Sequence, residues 1–377
     1  MSRVLMSSAA LCGAAVLAPF AAFAQINADQ IDAAALVRQP QTVSCTLTDG
    51  STAECLEVVV KYAPDGMEVG PFCPATTQDA GGIWDWDGAA AGLYRIDGDF
   101  LAMLNAIGFT FYEENGVVNV FDIRVEGPSA PNSCIAASFD DTVEMTLLIP
   151  TTRVMAATPS DLGTVAKVGL SLSGVPVFAD APSVLDTGHM PALDVCAGHV
   201  DPGGWYHYHA TASDLDTVYE ATGVQASCAD AIQDAKAQFG YAFDGYAILG
   251  SLEGDGSVPR DLDDCGGHMD GDTYHYHAQD GFPNLPACLV GLQAQGNFIT
   301  TATQGIGSNG GQEPGAGRGG GPDFAAIAAS LGIDEAALAD AMRAAGGPRA
   351  DLAAVAATLG VSEADLRALL PAPNGRP

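Results

Sequence analysis

The residues best suited to chemistry in this sequence are its histidines, and they are concentrated in one part of the chain. All seven lie between His189 and His277 of a chain of 377 residues. Neutral imidazole nitrogens are common ligands of zinc and copper ions. Six of the histidines occupy matched places in two similar segments: His199, His207 and His209 in the first, and His268, His275 and His277 in the second. The pattern predicts metal binding by these six residues.

Two histidines of each set alternate with tyrosines, as in Tyr206-His207-Tyr208-His209. In a strand, the two histidines share one face and the two tyrosines share the other. Two imidazoles about 6.5–7 Å apart along a strand can chelate one ion. A third histidine from the preceding Cys-turn would complete a three-nitrogen set suited to Zn or Cu. Either one ion in each half or one site shared between the halves fits this pattern.

Several polar residues next to the histidines are candidates for a supporting role. Asp201 and Asp270 could act as ligands or as acceptors that orient an imidazole. Tyr206 and Tyr274 adjoin the strand histidines, whereas Asp244 lies in a turn where the first segment has a serine, so it could equally cap that turn. A Tyr/His strand can also be a hydrogen-bonded structural ladder without any metal, and this alternative stays open.

The two histidine segments belong to an internal duplication, predicted to form a domain over residues 165–303. Three blocks recur in the same order at offsets of 68 to 71 residues. Each copy is predicted to contain a strand, a Gly turn, a second strand, an acidic loop, a Cys-turn-His and a short Tyr/His strand. The acidic loop that starts at Glu253 is a weaker candidate for Ca, because it does not follow the EF-hand pattern.

The region before the duplication, residues 25–160, is predicted to be a β region with disulfides. Turn signals at Asp49-Gly50 and Asn115-Gly116 separate apolar runs of strand length. One helix-like piece, Phe100–Ile107, interrupts the β pattern.

The first 24 residues resemble a signal peptide. A short apolar stretch ends in Ala22-Phe23-Ala24-Gln25, which predicts cleavage near Ala24-Gln25 and export to the periplasm or beyond the cell. Eight of the nine cysteines follow this leader, and an even number in an exported chain favours disulfides. Thiolate metal ligands are less suitable because no Cys-x-x-Cys pair occurs. Sequence order suggests the pairs Cys45–Cys55, Cys73–Cys134, Cys196–Cys228 and Cys265–Cys288.

The charge of the chain excludes several classes of partner. The 46 acidic residues outnumber the 14 basic ones, which gives a formal net charge of −32. A chain this acidic lacks the cationic surface that nucleic acids require, whereas cations are natural partners. No run after the leader is long and apolar enough to predict a transmembrane segment.

The C-terminal part is predicted to be a small helical module after a Gly-rich linker over residues 304–322. Residues 323–342 and 351–370 match at ten of twenty positions, which predicts two αα-hairpin repeats within 323–371. A DNA-reading helix-turn-helix is disfavoured by the acidity of the chain. A packing or tethering module is the better interpretation, with a protein partner as its candidate ligand.

The duplicated motifs resemble the YHYH domain family of exported bacterial proteins. The resemblance rests on the two Tyr-His-Tyr-His segments, on the Leu-Asp-x-Cys-x-Gly-His segments and on Phe243-Asp244-Gly245-Tyr246. It extends closely over about Val165–Leu292 and more loosely over the N-terminal β region, with departures at Tyr246-Ala247, Asp264 and Gly266. It implies membership of a family in which metal binding is inferred from the histidines.

The expected fold is mainly β: an internally duplicated β domain, an N-terminal β region and a small C-terminal α-helical repeat module. The favoured function is transition-metal binding, with Cu or Zn, for sequestration or delivery. A metal-dependent hydrolase or oxidoreductase with an open coordination position is one alternative. A cell-surface interaction protein with structural Tyr/His strands is the other.

Overall fold

The structure is a computed structural model of the chain. The predicted leader, Cys228 and most of the Gly-rich linker lie outside the residues that it describes. Those described residues are 26–162, 167–179, 183–211, 234–279, 284–308, 324–333, 337–338, 341–342 and 352–369.

The described part of the chain is mainly β, as the sequence predicts. The strands are β1 (Leu36–Thr46), β2 (Thr52–Lys61), β3 (Ile83–Trp86), β4 (Gly92–Arg95), β5 (Val120–Asp122), β6 (Ser133–Ala136), β7 (Glu144–Pro150), β8 (Met155–Asp161), β9 (Lys167–Ser171), β10 (Pro176–Phe178), β11 (His189–Met190), β12 (Gly198–Val200), β13 (Tyr206–Tyr208), β14 (Gln238–Ala242), β15 (Ala247–Leu249), β16 (Gly267–Asp270), β17 (Thr273–His277), β18 (Cys288–Gly291) and β19 (Phe298–Thr300).

Helices in the described residues are short and few by comparison, and a 3-10 turn spans Ala28–Gln30. None of the helices in the described residues is long and apolar enough to cross a membrane. The helices with described bounds are α1 (Gly98–Ala106), α2 (Val184–Thr187), α3 (Phe324–Leu331), α4 (Leu352–Leu359) and α5 (Glu363–Leu369).

The duplicated region forms one eight-stranded sheet in the order β12-β13-β10-β9-β14-β15-β17-β16. The order reads as the same four strands from each copy, joined at the centre by antiparallel pairing of the equivalent strands β9 and β14. In that pairing, Leu170 faces Tyr241, which is its own counterpart in the second copy. A pseudo-twofold axis therefore passes through the middle of the sheet, and the copies extend away from it in opposite directions.

Two glycines permit the close approach of the copies at this axis. A Cβ built on Gly169 would lie 2.0 Å from the carbonyl oxygen of Tyr241, and one on Gly240 would lie 2.5 Å from that of Leu170. Both contacts involve backbone atoms, which cannot rotate away as a side chain would. The matched glycines therefore let the two copies form one continuous sheet.

The N-terminal β region shares sheets with the duplicated region. Strand β19 completes the four-stranded sheet β1-β2-β7-β19, and β18 pairs with β8. One large apolar core follows from this arrangement, with Val58 and Leu147 from the N-terminal region and Leu170 and Ile248 from the duplication. These pairings join strands that lie before residues 160–165 to strands that lie after them. The predicted domain boundaries stay predictions.

Disulfide bonds connect several strands and turns of these sheets. Three predicted pairs are present: Cys45–Cys55, Cys73–Cys134 and Cys265–Cys288. Cys196 is also disulfide-bonded, and the fourth predicted pair cannot be compared because Cys228 lies outside the described residues. The first bond joins β1 to β2, and the third ties the turn before β16 to the start of β18.

The C-terminal module has its own small apolar core, which includes Ile327, Leu338, Val355 and Leu366. Helices α3 and α4 each end just before a left-handed glycine, Gly332 at φ 67° and Gly360 at φ 69°. The Ser362 hydroxyl accepts the backbone N–H of Asp365 at 3.5 Å and so caps the start of α5.

Replacing Gly169 with Ala should destabilise the fold, because the added methyl group meets the Tyr241 backbone at the centre of the sheet. We expect a loss of about 1–3 kcal/mol in the free energy of unfolding, measured by urea denaturation with the disulfides intact. The matched control is Gly127→Ala, since a Cβ at Gly127 meets nothing within 4 Å. Equal stabilities for the two variants would contradict this account of the axis.

Candidate metal centres

The first cluster consists of three histidines whose Nε2 atoms converge. Antiparallel pairing of β12 with β13 sets His199 directly opposite His207, and His209 follows on the same face. The Nε2–Nε2 distances are 3.1 Å from His199 to His207, 3.1 Å from His199 to His209 and 3.0 Å from His207 to His209. The three nitrogens form a nearly equilateral triangle that could hold one metal ion.

The second cluster repeats this construction in β16 and β17. His268 is paired with His275, and its Nε2 atom lies 2.9 Å from that of His275. The Nε2 atoms of His275 and His277 are 3.0 Å apart. The three histidines could hold a metal ion together with Glu253.

The two clusters lie near opposite ends of the eight-stranded sheet, because β12 and β16 are its edge strands. All six predicted histidines are therefore brought together as two sets of three. The alternative of one site shared across the pseudo-twofold axis does not fit this topology.

Backbone carbonyl groups fix the orientation of several rings. The Nδ1 atom of His209 lies 2.7 Å from the carbonyl oxygen of Ala179, and that of His277 lies 2.7 Å from the oxygen of Gly250. A carbonyl oxygen only accepts hydrogen bonds, so each of these Nδ1 atoms carries the proton. The Nε2 atom of each neutral ring then presents a bare lone pair to its cluster.

Burial keeps the first cluster uncharged. Desolvation lowers the pKa of His199 to about 4, and it lowers the pKa of His207 and His209 well below the ordinary value of 6.5. The neighbouring imidazoles act in the same direction for His207 and His209, because they would place like charges side by side. Near neutral pH the cluster therefore offers neutral nitrogen donors.

The Asp-x-Cys-x-Gly-His segment is a turn that delivers the third histidine. In the first copy, Asp194 Oδ1 accepts hydrogen bonds from the backbone N–H groups of Cys196 at 2.9 Å and Gly198 at 3.1 Å. The Tyr206 hydroxyl donates to the same oxygen at 2.7 Å. A Cβ at Gly198 would lie 2.5 Å from that hydroxyl, so the motif requires glycine there.

The second copy has the same turn. Asp263 Oδ1 accepts from the N–H groups of Cys265 at 2.9 Å and Gly267 at 3.2 Å, and Tyr274 donates to Asp263 Oδ2 at 2.9 Å. Tyr206 and Tyr274, which the sequence places in a supporting role, thus support the turn and not the rings directly.

Asp244 belongs to the tyrosine face of the second copy and is fully buried. Its Oδ2 accepts the Tyr276 hydroxyl at 2.6 Å and the Gly291 N–H at 2.8 Å, while Oδ1 accepts the Tyr246 N–H at 3.3 Å. Burial raises the pKa of this carboxyl group. Asp244 therefore caps its turn and ties β17 to β18, and it is not in either histidine cluster.

Asp201 and Asp270 lie outside the two groups of converging ligand atoms. Asp201 is buried and accepts the Gly203 N–H at 2.6 Å, whereas Asp270 is exposed at the end of β16. The carboxylate that orients a cluster ring is instead Asp261, whose Oδ1 lies 3.1 Å from His268 Nδ1.

Glu253 lies in the second histidine cluster, whereas the sequence predicts it only as the start of an acidic loop that could bind Ca. Its Oε1 atom lies 3.2 Å from His268 Nε2 and 3.7 Å from His277 Nε2. The weaker prediction of a Ca site in this acidic loop stays a prediction, and the Asp255 carboxylate of the loop accepts a hydrogen bond from the Ser257 N–H. The sequence carries no local signal for this role, because Glu253 meets the histidines through the parallel pairing of β15 with the Tyr/His strand β17.

Comparison with known families supports the resemblance drawn from the motifs. The YHYH protein family model matches residues 147–259, which include the first histidine cluster and the turn at Asp244. The resemblance drawn from the motifs also includes the second Tyr-His-Tyr-His segment, which lies beyond the matched residues. No curated protein and no solved structure matches the chain.

The low pKa of His209 predicts a pH-dependent effect of the variant His209→Gln in metal-free protein. In the unfolded parent, the pKa of His209 returns toward 6.5, so this histidine binds a proton at acid pH. The bound proton stabilises the unfolded parent, whereas the variant has no histidine at this position. The stability advantage of the parent should shrink as pH falls from 7 to 5, with a slope approaching about 1.4 kcal/mol per pH unit.

Urea unfolding of both proteins with a chelator measures this difference. Taking the difference is necessary because burial raises the pKa of Asp194 to about 6 and that of Asp201 to about 7, which stabilises the fold toward acid. A stability difference that stays constant between pH 7 and 5 would show that His209 is not buried in its neutral form.

Proposed function

We propose that this member of the YHYH family is an exported metal-binding protein that holds one Cu or Zn ion in each histidine cluster. Sequestration or delivery of the ion is the corresponding role. The chain would bind through imidazole nitrogens placed by two copies of the same strand-and-turn unit.

The observation that carries this proposal is the contact between His199 and His209. Their Nε2 atoms are 3.1 Å apart, and both Nδ1 atoms face carbonyl oxygens, that of His199 at 3.0 Å from Pro191. Each neutral ring therefore has its one N–H group at Nδ1, so no hydrogen lies between the two Nε2 lone pairs. His207 can contribute at most one hydrogen to the triangle, and it cannot bridge this pair.

A metal ion relieves this repulsion more readily than a proton does. Burial opposes protonation of all three rings, as their lowered pKa values indicate. Zinc bound by imidazole at 2.0–2.1 Å in tetrahedral geometry has ligand atoms about 3.3 Å apart, close to the observed triangle. Copper also accepts imidazole ligands, so the donor set fits both ions.

Export is supported by two independent features. The leader resembles a signal peptide, and the described residues contain disulfides that persist in oxidising compartments. An exported protein meets metal ions outside the cytosol, where the strong negative charge of this chain would attract them.

Binding is preferred to catalysis because of where the buried carboxylates point. Asp194 bonds to a turn, Asp201 to a loop and Asp244 to the tyrosine face. Among the described residues, Glu253 is the one carboxylate whose oxygen converges with the ligand nitrogens of a histidine cluster. A general base beside the first cluster is therefore not evident in this part of the chain, and the metalloenzyme remains the alternative.

Elemental analysis of the mature chain, exported without a His tag, should find about two Cu or Zn ions per molecule. Changing His207 and His209 to Ala should remove one ion, and changing His275 and His277 to Ala should remove the other. His189→Gln is the matched control, because His189 packs against Phe121 outside both clusters and should leave the metal content unchanged.

Two results would contradict the proposal. One is that the parent contains no metal and takes up none at micromolar concentrations after chelation. The other is that the metal content is equal in the parent and both double variants, which would place the ion elsewhere.

A further inference from the structure

We infer that Glu253 is a metal ligand, so that the second cluster is a four-donor site of three imidazoles and one carboxylate that selects divalent ions. This inference rests on the proposed function, and it assigns different chemistry to the two copies of one duplicated unit.

The four donor atoms of this site lie within 4.8 Å of one another, and four of their six separations are close to the edges of a tetrahedron. Glu253 Oε1 lies 3.2 Å from His268 Nε2 and 3.7 Å from His277 Nε2. The distances from His275 Nε2 to its two histidine neighbours are 2.9 and 3.0 Å. Ligand bonds of 2.0–2.1 Å give a tetrahedron with edges of about 3.3 Å, which lies within this range.

The orientation of His268 supports the same assignment. Its Nδ1 atom lies 3.1 Å from Asp261 Oδ1, and a carboxylate only accepts hydrogen bonds, so Nδ1 carries the proton. When the ring is neutral, the Nε2 atom then carries no hydrogen, and its lone pair faces the carboxylate oxygen of Glu253 at 3.2 Å. A cation between these two atoms would replace their contact with two ligand bonds. Carboxylate–histidine–metal arrangements of this kind fix the tautomer of the ligand.

The loop holds Glu253 in place through its own backbone. The N–H of Glu253 donates to the Ser257 carbonyl at 2.8 Å, and the N–H of Gly256 donates to the Glu253 carbonyl at 2.8 Å. This turn follows β15, where Leu249 is paired with His277 in the parallel ladder. The strand pairing thus brings the start of the loop to the cluster, and the turn directs Glu253 toward it.

The sequences of the two copies differ at the position of Glu253. The offsets of 71 and 69 residues that flank this loop match Glu253 to positions 182 to 184, which are Pro182, Ser183 and Val184. The two copies therefore differ at this position, and the acidic residue is found in the second copy.

A carboxylate changes which ions the site prefers. It is a hard, anionic oxygen donor, and it offsets part of the charge of a divalent ion such as Zn(II) or Co(II). A soft monovalent ion such as Ag(I) binds well to neutral imidazoles and gains less from the carboxylate. Glu253 should consequently raise affinity for divalent ions more than for monovalent ones.

The test uses Co(II), whose visible absorption reports tetrahedral coordination, in a full chain carrying His207→Ala and His209→Ala to disable the first site. Adding Glu253→Gln should weaken Co(II) binding at least about tenfold and change the visible spectrum, while Ag(I) affinity changes less than about threefold. The matched control is Asp255→Asn, a loop carboxylate that bonds to Ser257 and should leave Co(II) affinity unchanged. If the double variant fails to fold, the same Glu253→Gln comparison in the otherwise unaltered chain should weaken one of two Co(II) binding phases.

The outcomes separate this inference from the function on which it rests. Co(II) binding that is unaffected by Glu253→Gln, or an equal loss of Co(II) and Ag(I) affinity, would overturn the role of Glu253 and leave metal binding by the histidines intact. Failure of the unaltered chain to bind Co(II), Zn(II) or Cu(II) would overturn the proposed function itself.

Discussion

The constraint on which this structure depends is the convergence of unprotonated imidazole nitrogens in a buried place. Three Nε2 atoms lie 3.0–3.1 Å apart in the first cluster, and carbonyl oxygens hold the hydrogens of at least two rings on the opposite nitrogen. The lone pairs of those two rings have no hydrogen between them, so they repel one another unless a cation lies between them. The strands, turns and tyrosines around the cluster hold the rings in an arrangement that a metal ion would stabilise.

The surrounding architecture explains how the motif performs this task. A strand supplies two rings from one face, and a turn organised by an aspartate supplies the third ring from the neighbouring strand. Glycine is required in the turn because the tyrosine of the opposite face occupies the space of a side chain. Duplication through the paired strands β9 and β14 then places a second copy of the unit at the other end of the sheet.

Much of this arrangement could be predicted from the sequence because it follows from local periodicity. Alternation along Tyr206–His209 separates histidines from tyrosines, the constant offset reveals the duplication, and cysteine order gives three of the disulfides. The helix predicted over Phe100–Ile107 is present as α1, which begins two residues earlier because Asp97 caps it. These features depend on residues that are near one another in the chain or repeat at a fixed spacing.

The features that could not be predicted depend on contacts between distant segments. Glu253 reaches its cluster through the parallel pairing of β15 with β17. Asp261, and not the predicted Asp270, contacts the Nδ1 atom of His268. The pairing of β18 and β19 with N-terminal strands likewise has no local signal. Sequence periodicity fixes which face a residue occupies, whereas strand order and loop paths decide which faces meet.

The most direct test of the central claim is X-ray absorption at the metal edge of the protein as purified, before any metal is added. The account predicts nitrogen or oxygen neighbours at about 2.0–2.1 Å with the outer-shell scattering of several imidazole rings, lost in stages when each pair of strand histidines is replaced. A spectrum without imidazole scattering, or a protein that contains no metal and acquires none, would contradict it.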